Sequence, residues 1–235
     1  MELTIEQSLW GALVAAVLLA ALHVAAPRIR TLPLVPESAT ASFAGGLAVS
    51  YVFLHLLPEI AEGNEAIGEA LSDVVQPTPL VDLGMGIFVV ALAGFAVFYG
   101  LERLAQREHG DDERGAGAGV YWLHLGSFSV YNALITYTMA LRLRTGVAFA
   151  VLFTIAMGLH FVLTDRGLQE HYPRRFSHLG RLVLAGALLA GWLLSVLFAP
   201  TSTLVVSLLT AALAGSILLN VFKEELPSGA RSSFP

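Results

Sequence analysis

An imidazole and a carboxylate four residues apart, His55 and Glu59, close the otherwise apolar run FAGGLAVSYVFLHLLPE, with Pro58 between them. Residues at that spacing share a helix face. Inside a bilayer such groups are expensive, so they bind an ion, line a wet path or pair with another helix. Together they offer a cation-capturing corner, to which Pro58 adds main-chain carbonyls that it leaves without a donor. The competing reading is plainer: His55 makes one interhelical hydrogen bond and Pro58 ends the helix.

A second set of polar groups falls in two later apolar stretches. In WLHLGSFSVYNALITYT, His124, Ser127, Tyr131 and Thr138 form one stripe at helical spacing, and Ser129, Asn132 and Thr136 form its neighbour. A face this polar cannot look at lipid, so it lines a cavity or meets another helix. In IAMGLHFVLTD, Met157, His160, Phe161 and Thr164 share a face, and Asp165 follows at the boundary. Near the end of the chain Glu224 stands in KEELP, most simply as a boundary charge. For His124 and His160 the metal or proton role competes with interhelical hydrogen bonding. His23 reads as an interfacial residue at the end of the first apolar run.

These groups need helices to hold them, and composition says of what kind. Hydrophobic residues are 56% and charged residues 13% of the 235-residue chain, with a mean hydropathy of +0.71, against about 25% charged in a soluble domain. The chain reads as one integral membrane domain over 1–235. With no cysteine, any metal must be held by His, Asp, Glu, Asn or Met. A net charge of −5 argues against nucleic acid.

Apolar runs near the ~20 residues needed to cross a bilayer fall at about 7–26, 38–60, 80–104, 119–141, 145–165, 178–199 and 202–223. The expected fold is therefore an all-α polytopic bundle of about seven transmembrane helices. Glu2 and Glu6 lead the first run with no basic residue, which argues against a signal peptide. Arg28, Arg30, Arg103, Arg107, Arg114, Arg166, Arg174, Arg175, Arg181, Lys223 and Arg231 fall on one side; only Arg142 and Arg144 fall on the other. Cytoplasmic flanks retain Lys and Arg, which puts the N-terminus outside and the C-terminus in the cytoplasm. Glu62, Glu65, Glu69 and Asp73 then lie in an external loop that would attract cations or simply be solvated. The Gly/Ala-interrupted stretch 106–119 reads as a cytoplasmic linker.

Aligning Gly46 with Gly215 also aligns Leu57-Pro58 with Leu226-Pro227, and in that register His55 faces Glu224. The two spans run in opposite senses, as in the inverted repeats of secondary transporters. Chance recurrence of Gly and Leu-Pro is the alternative.

The HLLPE run resembles the second transmembrane helix of the ZIP (Zrt/Irt-like) divalent-metal transporters, and KEELP is a weaker match to the corresponding later helix. The resemblance implies a two-metal site from His-Asn-x-x-Asp/Glu-Gly on the fourth helix and His-Glu-x-x-His/Glu on the fifth. Here the fourth-helix motif reads Tyr131, Asn132, Ile135 and Thr136, keeping only the Asn. The fifth keeps His160, with Phe161 for the Glu, Thr164 for the second ligand and Asp165 one residue late. A binuclear site loses its charge, while a weaker mononuclear site stays open to His55, His124, His160, Asn132 and Glu224. ZIP proteins have an eighth helix, so either that helix is lacking or the sequence is a piece of a longer one.

The expectation is a ZIP-like, non-enzymatic carrier of zinc, or of iron or manganese, with no prosthetic cofactor. His55 and Glu59 would capture the ion, Asn132 and His160 hold it, and His124 and Asp165 receive it, with Glu224 in reserve. The alternatives are a non-transporting relative with a structural or metal-sensing role and, less well supported, a zinc hydrolase inside the membrane. The partners are the lipid bilayer and the metal ion, with a homodimer among the possible assemblies. Abundant Ala, Leu and Arg with one Lys points to a prokaryotic cytoplasmic membrane.

Overall fold

In the computed structural model the described residues are 3–29, 43, 46–47, 49–58, 60–61, 85–109, 118–198 and 203–220. Among them regular structure is helical throughout. Helix α1 spans Ile5–Ala25 and continues into a 3₁₀ turn, Ala26–Arg28; α2 is Gly86–His109, α3 Ala118–Thr145, α4 Val147–His171, α5 His178–Leu197 and α6 Thr203–Asn220. Between α1 and α2, Val52–Leu56 forms a π-helical turn.

Local signals explain several boundaries. Thr4 caps α1 in a capping box: its hydroxyl accepts from the Gln7 N–H, and the Gln7 side chain accepts from the Thr4 N–H. Thr4→Ala should cost about 1 kcal/mol, read as a lowered unfolding midpoint in detergent; an unchanged midpoint would mean that α1 does not fray at this end. Gly146, in extended conformation, is the only residue separating α3 from α4. Ser177 caps α5 by accepting from the Leu179 N–H.

Helices α1, α3, α4 and α5 pack together, while α2 and α6 pack against each other and touch α3. The α2–α6 seam is made of small residues. A Cβ on Gly94 would strike the Ala212 carbonyl, and one on Gly215 the Ala91 carbonyl, the close approach that small residues permit between membrane helices. For Gly46, aligned with Gly215 in the expected repeat, no atom of the described residues lies within 4 Å of its Cβ position.

The distribution of polarity is the reverse of a soluble bundle. His23, His124, Asn132, Arg142, His160, Asp165 and Arg181 are buried, whereas Trp10, Val14, Leu18, Val151, Ile155, Leu193 and Leu197 are exposed. Large apolar side chains in continuous rows need a non-aqueous neighbour. Three segments, Ile5–Arg28, Val147–His171 and His178–Leu197, are long and apolar enough to cross a membrane, and Gly86–Leu101 and Ser207–Leu219 are shorter apolar stretches. Helix α3 falls outside that set because its polar stripe dilutes its hydropathy, although both stripes are largely buried by the helices around it.

Candidate functional site

The π turn at Val52–Leu56 is the local consequence of Pro58. Proline has no N–H for the carbonyl one turn back, and its ring clashes there; the chain widens, and the Leu57 N–H reaches the Val52 carbonyl instead. Single π turns inside helices are rare and concentrate at functional positions. His55 lies within this turn. Of His55 the backbone is described, while Glu59 and Glu224 lie outside the described residues, as do Leu226, Pro227 and the acidic residues from Glu62 to Asp73. The turn packs on α4 through Tyr51 and Phe153, whose ring centroids are 5.6 Å apart. Phe153 in turn carries the buried Arg142 guanidinium 4.4 Å above its ring, a cation–π contact at the far end of α3 from its start.

The most extensive polar cluster is centred on His23. This side chain, read from sequence as interfacial, is 1% exposed. Its Nδ1 lies 3.0 Å from Asp165 Oδ1 and its Nε2 lies 2.9 Å from Asn132 Nδ2. The Asn132 amide also donates to the Leu184 carbonyl at 3.3 Å. Asp165 Oδ2 faces Arg181 Nε at 3.8 Å, an ion pair outside hydrogen-bond range; the Arg181 guanidinium donates to Gln169 at 2.8 Å and lies 4.9 Å from the Phe176 ring centroid. Phe161 stacks on the imidazole with centroids 4.5 Å apart. Four helices thus meet at one imidazole: α1 brings His23, α3 Asn132, α4 Asp165 and Phe161, and α5 Arg181 and Leu184.

The hydrogen bonds fix the proton on that ring. A carboxylate only accepts, so Nδ1 carries the hydrogen and donates it to Asp165; Nε2 then presents its lone pair to the Asn132 amide. Turning the amide over would set its oxygen against the Leu184 carbonyl, acceptor against acceptor.

Asn132 and Asp165, both singled out in the sequence, are therefore brought together, but by a residue outside the expected set. The other two described candidates stand apart from them. His124 Nδ1 is 3.0 Å from the Tyr172 hydroxyl, and His160 Nε2 is 3.3 Å from Thr164 Oγ1, one turn further along its own helix. Tyr131 reaches the Met157 sulfur at 3.7 Å, and its ring lies 6.0 Å from that of His160. Ser127, Ser129 and Thr138 donate to carbonyls of their own helix, whereas Thr136 also reaches the Leu188 carbonyl on α5 at 2.7 Å. Most of the hydroxyl stripe therefore stays within α3, and Thr136 and Asn132 are its links to α5. No group of three or more His, Cys, Asp or Glu side chains with metal-holding geometry occurs among the described residues.

His23 carried a sequence signal that went unused. Ala12, Ala15, Ala16, Leu19, Ala20 and His23 make the buried face of α1, and a row of alanines at helical spacing marks the side of a membrane helix that meets its neighbours. His23 continues that row.

The bundle and its buried polar cluster define a class: a helical protein with membrane-compatible helices and an ionisable centre enclosed by four of them. No family model, curated protein or solved structure matches the chain.

Proposed function

We propose that this protein is a ZIP-like carrier that moves a divalent first-row cation, zinc or a neighbour, across a membrane by alternating exposure of a buried site. The supporting observation is the enclosed cluster in which Asn132 and Asp165 engage the two nitrogens of His23. Ionisable groups at such depth mark ion or proton pathways more often than they serve as mere packing. In this reading about seven helices cross the bilayer with the N-terminus outside, His55 and Glu59 form the outer mouth, and α2 with α6 is the surface against which the four-helix body moves. The π turn beside Pro58 supplies irregular backbone where an entering cation would need carbonyl oxygens.

The test is uptake of zinc, iron, manganese and cadmium into proteoliposomes containing the purified chain. Saturable uptake is expected, reduced at least roughly 10-fold in Asn132→Ala, as the loss of a single ligand or its support implies. A folded protein that takes up none of these ions would remove the carrier reading.

One observation favours a second reading. Both nitrogens of His23 and both hydrogens of the Asn132 amide already have protein partners, which is what a structural latch between helices requires. A non-transporting ZIP-like protein with a structural or sensing role would show the same cluster and no uptake.

A further inference from the structure

We infer that His23, and not His160, is the imidazole that receives the divalent cation, with the Asn132 amide oxygen and the Leu184 main-chain carbonyl as its companions and Asp165 behind the ring; this rests on the carrier reading above. The arrangement at His23 is that of a metal-binding histidine before its metal arrives. One ring nitrogen donates to a carboxylate at 3.0 Å, which fixes the tautomer and the orientation of the ring. The other nitrogen aims its lone pair at an amide N–H₂ group 2.9 Å away. The same amide nitrogen is 3.3 Å from the Leu184 carbonyl oxygen. A half-turn of the amide would put its oxygen where Nδ2 now stands, beside the imidazole lone pair and the Leu184 carbonyl oxygen, three donors whose mutual repulsion a cation held among them would offset.

A cation taken up among these donors would exchange the two hydrogen bonds of the amide for three donor–metal bonds of ~2.0–2.2 Å. A mixed imidazole and carbonyl set suits zinc, manganese and cobalt. His160 instead turns its Nε2 to Thr164 on its own helix, at 3.3 Å. Asp165 stays an outer partner, because its Oδ1 is on the Nδ1 side of the ring, away from the ion. Arg181, 3.8 Å from Oδ2, balances its charge and leaves the cluster neutral. Affinity is consequently limited, as release of a carried ion demands.

The test uses the full chain in nanodiscs, titrated with Mn²⁺ and Co²⁺ and read by paramagnetic resonance for a directly bound histidine nitrogen. Expected is one nitrogen ligand in the wild type and in His160→Ala, its loss in His23→Gln, and affinity weakened roughly 10- to 100-fold in Asp165→Asn. Nitrogen coupling that persists in His23→Gln and vanishes in His160→Ala would overturn the assignment, as would an all-oxygen site or no binding in the wild type. Should His23→Gln fail to fold, ¹⁵N-histidine spectra of the wild type decide: the His23 resonance must shift on metal addition, and its constancy while another histidine moves is a refutation. Metal bound at His23 but not carried into vesicles would leave this site standing and remove the carrier reading. Uptake unchanged in folded His23→Gln would do the reverse.

Discussion

Arg181→Met alone is expected to cost the folded bundle about 3–5 kcal/mol, and adding Asp165→Asn to it should return most of that loss. Asp165 is 2% exposed, and among the described residues its Oδ2 faces only the Arg181 guanidinium, at 3.8 Å. With the cation gone the carboxylate remains enclosed, supported by the single donor His23 Nδ1. An ion pair of this kind adds little net stability over a well-packed neutral pair, but removing one member strands the other. Asn at position 165 cancels the stranded charge and keeps an oxygen for the His23 N–H. A deficit of roughly 1 kcal/mol should persist for the lost Gln169 hydrogen bond and the contact with Phe176. Equilibrium unfolding in detergent, compared across the wild type, both single variants and the double variant, measures the coupling. Equal losses in Arg181→Met and in the double variant would show that Asp165 is not held as an ion.

In the carrier reading this coupling would reach the site itself, because the same carboxylate orients His23. Asp165 is shared between a pair that ties α4 to α5 and a hydrogen bond that ties α4 to α1. Any movement of α5 that changes the distance to Arg181 therefore alters the group behind the imidazole. The orientation of His23 and the packing of the four-helix body are therefore not separable.

How much of this was legible in the sequence follows from the range of the forces involved. Helices were readable because an apolar run long enough for a bilayer is a local property: the expected spans at about 178–199 and 202–223 lie over α5 and α6 within three residues, and that at about 145–165 starts with α4 but stops six residues before its end. Asn132 and Asp165 were readable as costly groups in apolar surroundings. Their partner was not, because nothing local couples His23 to residues more than a hundred positions away; only the packing of α1 into the groove between α3, α4 and α5 does so. The assignment of His23 to the interface used its distance from the helix end and ignored its place on the alanine row. The polar face of α3 does meet other helices, but fewer of its hydroxyls reach across than the spacing suggests. Helical spacing tells which residues share a face, but a serine hydroxyl readily turns onto the carbonyl one turn back, as Ser127 and Ser129 do. The π turn was half visible: Pro58 announced a break, and the widening of the preceding turn is a tertiary choice between breaking and accommodating.

Gly191→Ala is the second change expected to have a large effect, although it adds one methyl group. Its Cβ would run into the Ala133 carbonyl oxygen and the Thr136 hydroxyl on α3. Neither obstacle is a flexible chain end, since one is backbone and the other is held by its 2.7 Å hydrogen bond to the Leu188 carbonyl. Helix α5 must therefore move off α3. Overpacking of this kind costs about 1–3 kcal/mol, and losing the Thr136 bond adds about 0.5–1.5 kcal/mol. Gly186→Ala is the matched control, because no atom of the described residues lies within 4 Å of its Cβ position on the same helix. Alanine is the better helix former by about 1 kcal/mol, so that variant should be neutral or more stable. The separation produced at Gly191 also withdraws the Leu184 carbonyl from Asn132. Because that carbonyl is one of the three donors inferred for the cation, metal affinity measured in nanodiscs should fall in Gly191→Ala while that of Gly186→Ala stays at the wild-type value. If both glycine variants unfold at the same midpoint, the α3–α5 contact is looser than the close approach at Gly191 requires, and the orientation of Asn132 must be set by His23 alone.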